Sequence, residues 1–242
     1  MRLSRLFIPA VCTAHTRLPL DDDSAHYLRT VLRLKKGSAL TVFNDTDQEF
    51  SATVIEAHRD RVCLELGEAR YRSVESPLFV HMAMGIARGE RMDLAIQKAV
   101  ELGVARITPL FTEHCVVRLD ETRRSHRTVH WRKIIQAACE QSGRNRLPCL
   151  DEPLPLREFL ASRPDTGLFF DPEAVQGLSG VSRPPGPLVL LSGPEGGFAS
   201  HERQAAVAAG YIPVRLGPRI LRSETAAIAA LAAAQCLWGD MP

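Results

Sequence analysis

The chain has 242 residues, 45% of them hydrophobic and 24% charged, with a formal net charge of +2. That length suits one large domain or a small plus a medium one, and no apolar run approaches the length of a membrane span. The six cysteines form no C-x-x-C pair, which argues against zinc and against a disulfide framework. The N-terminal stretch MRLSRLFIPAVC lacks a sustained apolar core followed by a cleavage pattern, so a reduced, cytoplasmic setting without metal is expected. Net charge hides an asymmetry: Lys plus Arg against Asp plus Glu is 11 to 11 over residues 1–75, 12 to 7 over 76–150 and 7 to 10 over 151–242. Arginine supplies 26 of the 30 cations, and its planar fork suits phosphate and stacks on bases. Genomic base composition would produce the same bias, so charge alone leaves nucleic-acid binding open.

Residues 1–73 read as a small β-rich module. A strand is predicted over 3–8 and a short helix over 24–33, ending before Lys35-Lys36-Gly37. Residues 40–43 and 50–58 alternate in strand fashion around Asn44-Asp45-Thr46-Asp47, a polar turn cluster that predicts a hairpin. A further strand over 61–66 completes a compact sheet or barrel. Arg29 and Arg33 lie four apart on one face of the predicted helix, where they could grip a nucleic-acid backbone together or simply sit in solvent.

Glu75-Ser76-Pro77 marks a boundary, giving domains over 1–73 and 74–242. A strand over 78–84, a helix over 90–102 stopped by Gly103, and a strand over 105–110 form a βαβ order, the pattern of a parallel sheet with crossover helices. Lys98 and Glu101 sit at i, i+3 and read equally well as a motif pair or a surface pair. A long helix over 122–141 carries much of the positive charge and runs into Glu140-Gln141-Ser142-Gly143-Arg144-Asn145-Arg146. A carboxylate, two amides and two guanidiniums at one helix end suggest the substrate side of a site more than a connector. Cys139 beside them reads as a small buried residue rather than a nucleophile. A helix over 156–162, a strand over 167–170 and a Gly/Ser/Pro linker over 176–187 follow.

The C-terminal stretch has the densest pattern. Residues 188–191 are an apolar strand run ending at Ser192-Gly193-Pro194, and Ser200 offers a cap for a helix over 201–209. The unit repeats in outline: a strand over 211–216, a turn at Gly217-Pro218, and Ser223 as the cap of a helix to Trp238. Two strand–glycine loop–helix units in succession predict parallel strands with both loops at one sheet edge. In open α/β sheets ligands bind beyond that carboxyl edge. Neither loop is a dinucleotide fingerprint or a P-loop.

GPEGGF at 193–198 followed by LGPRILRSETA at 216–226 resembles the C-terminal signature of the SPOUT class of RNA methyltransferases. More narrowly it is similar to the ribosomal RNA small subunit methyltransferase E family, which methylates N3 of one uridine in 16S rRNA. MDLAIQKAVELGVARITPL at 92–110, AACEQSGRNRLP at 137–148 and HYLRTVLRLKKG at 26–37 carry the resemblance along the chain. It implies a SPOUT-type α/β domain with a C-terminal trefoil knot over about 190–242, a PUA-like RNA-binding N-terminal domain, a homodimer, and small-subunit rRNA as partner. It implies S-adenosylmethionine as cofactor, held by Leu191, Ser192, Gly193, Gly196, Gly197, Leu216, Gly217, Ile220, Leu221 and Thr225. RNA contacts are expected from Arg2, Arg5, His26, Arg29, Arg33, Lys35 and Lys36, and from Glu140, Gln141 and Arg146. For the chemistry, Arg144 and Arg222 are expected to stabilise charge, with Glu195 or Glu224 as proton acceptor. Glu224 also fits a dipole-favoured place in a first helical turn, and Glu195 a brace for the glycine loop. Methylation of a ribose 2′-oxygen or another base, and a non-catalytic RNA-binding assembly factor, are the alternatives. From connection rules alone the fold would be drawn as an unknotted open sheet.

Overall fold

The computed structural model describes residues 3–58, 61–115, 121–162 and 167–241, so Arg2 lies outside the described residues. The chain divides into two compact units. One runs to Glu75 and also takes in Cys139–Leu147; the other begins at Ser76, runs to Ala138 and resumes at Pro148.

The first unit holds β1 (Ser4–Phe7), β2 (Arg17–Pro19), α1 (Asp22–Thr30), β3 (Ala39–Phe43), β4 (Gln48–Ala57) and β5 (Val62–Tyr71). They form one sheet in the order β1-β3-β4-β5-β2, parallel only between β1 and β3. The alternation in β3 and β4 sends Leu40, Val42, Phe50, Ala52 and Val54 inward against Leu28 of α1 and Leu64 and Leu66 of β5. Each such fully buried large side chain contributes about 2 kcal/mol.

The helix is displaced from its predicted span of 24–33. Asp21 caps it by accepting from the Ser24 backbone N–H at 2.7 Å, and Asp22 and Asp23 occupy the dipole-favoured first turn. The chain has left the helix by Arg33, which adopts a left-handed φ of 54°. Arg29 and Arg33 therefore do not share a helix face. β5 runs five residues beyond its predicted end because it pairs with the start of β4 across a bulge.

Cys139–Leu147 is fastened to this unit by polar bonds. Glu140 is buried and accepts from the Phe7 backbone N–H at 3.1 Å and the Tyr27 hydroxyl at 2.8 Å. Arg144, buried to 4% exposure, donates to both carboxylate oxygens of Glu75. Asn145 accepts from the Arg5 guanidinium and donates to the Arg72 carbonyl at 2.8 Å. Arg146 forks onto Asp47 at 2.9 and 2.8 Å, and the Leu147 N–H donates to Asp45 at 2.7 Å. Beneath them Glu49 is buried among Arg5, Arg70 and Arg72. Burial pushes its carboxyl up, but the three guanidiniums outweigh this and hold it below the usual carboxylate range. Burial likewise drives the Cys139 thiol up to about 12, so it is inert as a nucleophile at neutral pH.

The second unit contains β6 (Val80–Gly85), α2 (Glu90–Glu101), β7 (Arg106–Phe111), α3 (Glu121–Ser142, whose last four residues count with the first unit), β8 (Cys149–Leu150), β9 (Leu154–Pro155), α4 (Leu156–Ser162), β10 (Gly167–Phe170), β11 (Leu188–Ser192), α5 (Ser200–Ala208), β12 (Ile212–Val214) and α6 (Ser223–Trp238). The sheet runs β12-β10-β11-β6-β7-β8, parallel throughout, with β9 also on β7. β6, β10 and β11 are buried along their whole length, as a parallel sheet covered on both faces requires. On one face α2 packs on α6, which lies on β6 and β11. The other face sets Ala83, Leu110, Phe169, Val189 and Leu191 against Phe159 of α4 and Ala206 of α5. Among the described residues no helix is long and apolar enough to cross a membrane.

Both predicted serine caps move. α5 begins at Ser200 itself, and the Glu202 carboxylate reaches back to the Ala199 N–H at 2.9 Å instead. Ser223 is likewise the first helical residue of α6, its hydroxyl donating to Glu224 at 3.2 Å. β12 keeps only three residues of the six predicted, because Arg215 departs to bond the Gln176 carbonyl.

Candidate functional site

A cavity of about 410 Å³ opens at the carboxyl edge of the parallel sheet, the size and place of a small-molecule site. Three loops build it. Ser192, Gly193, Pro194, Glu195, Gly196, Gly197 and Phe198 follow β11; Leu216, Gly217, Arg219, Ile220, Leu221 and Ser223 lead from β12 into α6; Phe170, Asp171, Pro172 and Glu173 end β10. The two glycine loops expected to share an edge thus line one cavity. The first is pressed against the sheet: a side-chain carbon on Gly85, the last residue of β6, would fall 2.5 Å from Pro194.

Of the residues expected at the cofactor, Ser192, Gly193, Gly196, Gly197, Leu216, Gly217, Ile220 and Leu221 are on the wall. Leu191 is fully buried inside the sheet, and Thr225 is exposed on α6 away from the lining. The loop after β10 was missed, as was Arg203 of α5, which lies on the wall and pairs with Asp171 at 3.4 Å and Glu173 at 2.5 Å. The signal was present, since a strand had been predicted over 167–170 and the carboxyl-edge rule applies to it equally.

Of the four residues expected to do chemistry, Glu195, Arg222 and Glu224 belong to the second unit and Arg144 to the first. Glu195 is on the wall, where its Oε1 accepts from the Arg88 backbone N–H at 2.9 Å and the Arg91 guanidinium at 3.2 Å. Burial pushes its carboxyl up, but those donors and its own backbone N–H prevail and hold it below the usual range. A carboxylate so stabilised is a weak proton acceptor. Its Oε2 is buried without a hydrogen-bond partner among the described residues, an acceptor that a ligand's N–H or O–H would satisfy. Arg222 is exposed as the N-cap of α6, between Leu221 and Ser223 of the wall. Glu224 is buried on a small adjoining hollow with Met84, Ala87, Met92 and Ala227, which shares Ser192, Gly193 and Ser223 with the cavity wall. Arg144 belongs to the first unit, its guanidinium committed to Glu75.

The expected RNA contacts divide in the same way. His26, Arg33, Lys35, Lys36 and Gln141 are exposed, and Arg146 is exposed though paired with Asp47. Arg29 spends its guanidinium on the Ala25 and His58 carbonyls, while Arg5 and Glu140 are buried. Among the described residues no cluster of His, Cys, Asp and Glu could hold a metal.

Comparison with known proteins fits this architecture. Residues 74–235 match the RNA methyltransferase domain and residues 20–67 the RNA methyltransferase PUA domain. A ribosomal RNA small subunit methyltransferase E of Buchnera aphidicola (subsp. Schizaphis graminum) is 35% identical, covering 99% of this chain and 98% of its own. A Legionella pneumophila structure described as a methyltransferase with bound cofactor SAM shares 36% identity and superposes with a TM-score of 0.97 over 100% of both chains. The ribosomal RNA small subunit methyltransferase E of Neisseria gonorrhoeae, crystallised with S-adenosyl methionine, shares 37% identity and a TM-score of 0.93 over 99% of both chains. The expected fold class holds: a SPOUT-type α/β methyltransferase domain joined to a small β-rich PUA-like domain. With a matching domain over most of its length and kinship that runs from end to end, the chain belongs to the ribosomal RNA small subunit methyltransferase E family.

Proposed function

We propose that this protein transfers the methyl group of S-adenosylmethionine to N3 of one uridine in the 16S rRNA of the small ribosomal subunit. The observation that carries the reading is the cavity at the sheet's carboxyl edge, in a chain 37% identical throughout to a cofactor-bound relative of that name. The cavity fits an adenosine-type cofactor. Leu216, Ile220 and Leu221 give an apolar slot, the glycine loops bring backbone groups close, and Asp171 and Glu173, paired with Arg203, complete the wall. When bound, the cofactor supplies a methyl group activated on a sulfonium, so the protein's own task is orientation and electrostatics.

N3 of uridine carries a proton at neutral pH and faces its partner in a duplex, so the base must be presented unpaired. We assign Arg222 to the charge that develops on the flanking carbonyl oxygens as that proton leaves. Glu195, already ionised and bonded, braces the glycine loop. Glu224 is the remaining carboxylate for the proton, and Arg144 acts by holding the 139–147 segment. The exposed His26, Arg33, Lys35 and Lys36 supply RNA affinity from the PUA-like domain. A trefoil knot over about 190–242, a homodimer and a cytoplasmic setting complete the reading.

Mass spectrometry of nucleosides from undermethylated small subunits and from free 16S rRNA, each incubated with protein and S-adenosylmethionine, tests this. 3-Methyluridine is expected. A methylated ribose or a different base would replace the assigned atom, and no product despite measured cofactor binding would overturn the enzymatic reading.

A further inference from the structure

Beside the cofactor cavity lies a second, shallower depression of about 490 Å³, lined by Arg88, Gly89, Glu90, Arg91 and Glu195. Glu195 is common to both walls. Its carboxylate pins the Arg88 backbone N–H at 2.9 Å and neutralises Arg91 at 3.2 Å. The Arg88 side chain is exposed and has no hydrogen-bond or ionic partner among the described residues. A fixed backbone thus carries an unpaired guanidinium beside the cofactor cavity, and the exposed Glu90 is the other charge of the lining that no partner holds among the described residues. Gly89 next to it has a left-handed φ of 57°, and nothing lies within 4 Å of where a side-chain carbon would sit. A chain can therefore pass close to this turn.

The lining has no aromatic or apolar face, so it offers no platform on which a base could stack. What it offers is a planar fork of donors, the geometry that suits a phosphate oxygen pair. Arg219, exposed on the wall of the cofactor cavity, is likewise without a partner among the described residues. Two arginines without a bonded partner, on adjoining depressions, suit a polyanion that crosses both and passes clear of Glu90.

We propose that the Arg88 turn is a backbone grip for the substrate strand, holding an RNA phosphate adjacent to the target nucleotide, with Arg219 as a second contact. This rests on the RNA-methyltransferase reading and assigns the surface that positions the substrate. Arg88 is a positioning residue: it brings the strand to the cofactor and takes no part in the transfer.

The test measures binding of the full-length protein to a 16S rRNA transcript from about 50 to 200 mM salt, for wild type, Arg88→Ala, Arg88→Lys and Arg219→Ala. Losing one phosphate contact is expected to weaken RNA binding about five- to tenfold at low salt and to cut the slope of log affinity against log salt by about one. Arg88→Lys, which keeps the charge but loses the fork, should restore the salt slope and only part of the affinity, and in both Arg88 variants cofactor affinity and melting temperature should match wild type. Unchanged RNA affinity and slope in Arg88→Ala would overturn the proposal. So would a parallel loss of cofactor affinity, which would make the side chain part of the loop brace. A defect seen with assembled subunits but absent with naked rRNA would also overturn it, in favour of a ribosomal protein as partner. A wild-type protein that binds RNA yet yields no methylated nucleoside would instead sink the methyltransferase reading, leaving the grip intact.

Discussion

Two arginine-bearing segments of this chain look alike on paper and differ in the folded protein. Residues 139–147 and the loop at 216–222, which shares its cavity with the loop at 193–198, each carry two arginines and one glycine. In the first, Glu140, Arg144, Asn145 and Arg146 have all found partners within their unit, in bonds to Tyr27, Glu75, Arg5 and Asp47. In the second, Arg219 and Arg222 have none among the described residues, and Glu195 keeps one buried oxygen unbonded. A saturated cluster is a fastener, because each bond made inside the protein is one it cannot make to a ligand. An unsaturated one stores affinity for something else.

The comparison can be broken at its strongest point. Arg144→Ala leaves the Glu75 carboxylate facing an emptied, buried socket and should cost about 3 kcal/mol of unfolding free energy. Denaturant unfolding followed in the first unit checks it. Full stability together with lost turnover would return Arg144 to the chemistry. On the other side, Arg222→Ala should lower turnover about 100-fold, the scale of one lost charge-stabilising donor. Its melting temperature and cofactor affinity should stay at wild-type values, by single-turnover kinetics and calorimetry. Wild-type turnover in that variant would remove Arg222 from the mechanism.

Acid separates the regions less sharply. Glu49 and Asp151 have folded-state carboxyls held below their ordinary range; in each, burial pushes the carboxyl up and arginine pairing outweighs it, and at Asp151 the Thr108 hydroxyl helps. Groups lowered on folding stabilise above their unfolded pKa, near 4, and lose that contribution as pH falls through the folded value. Stability should therefore be flat near neutrality and decline below about pH 4.5. Glu49→Gln should start from a lower plateau with a shallower acid limb, read from urea midpoints across pH. An unchanged limb would show that the arginine cluster does not shift Glu49. The smallest effect is expected from Arg146→Ala: its pair with Asp47 is exposed, so the urea midpoint should barely move.

Much of this was legible in one sequence. The βαβ order, the strand at Gly167–Phe170, the helix at Leu156–Ser162 and the shared edge of the two glycine loops follow from apolar periodicity and turn residues. Those signals are local, and local physics produces them. The loop after β10 was reachable by the same rule and was missed because FDPEA carries no glycine signature. Helix starts were misassigned where a carboxylate set the boundary: Asp21 caps α1 three residues before its predicted start, and Glu202 reached back where Ser200 was expected to cap.

Residue chemistry and spacing determined which side chains are available, and motif order determined the family. Which of those side chains remain free was decided only by tertiary structure. Glu75 is 69 residues from Arg144, and Glu195 is 107 from Arg88, separations across which no periodicity carries information. A guanidinium is a fastener or a grip according to whether folding brings a carboxylate within about 3 Å of it. That distance is fixed by packing of the whole unit and is written in no single segment.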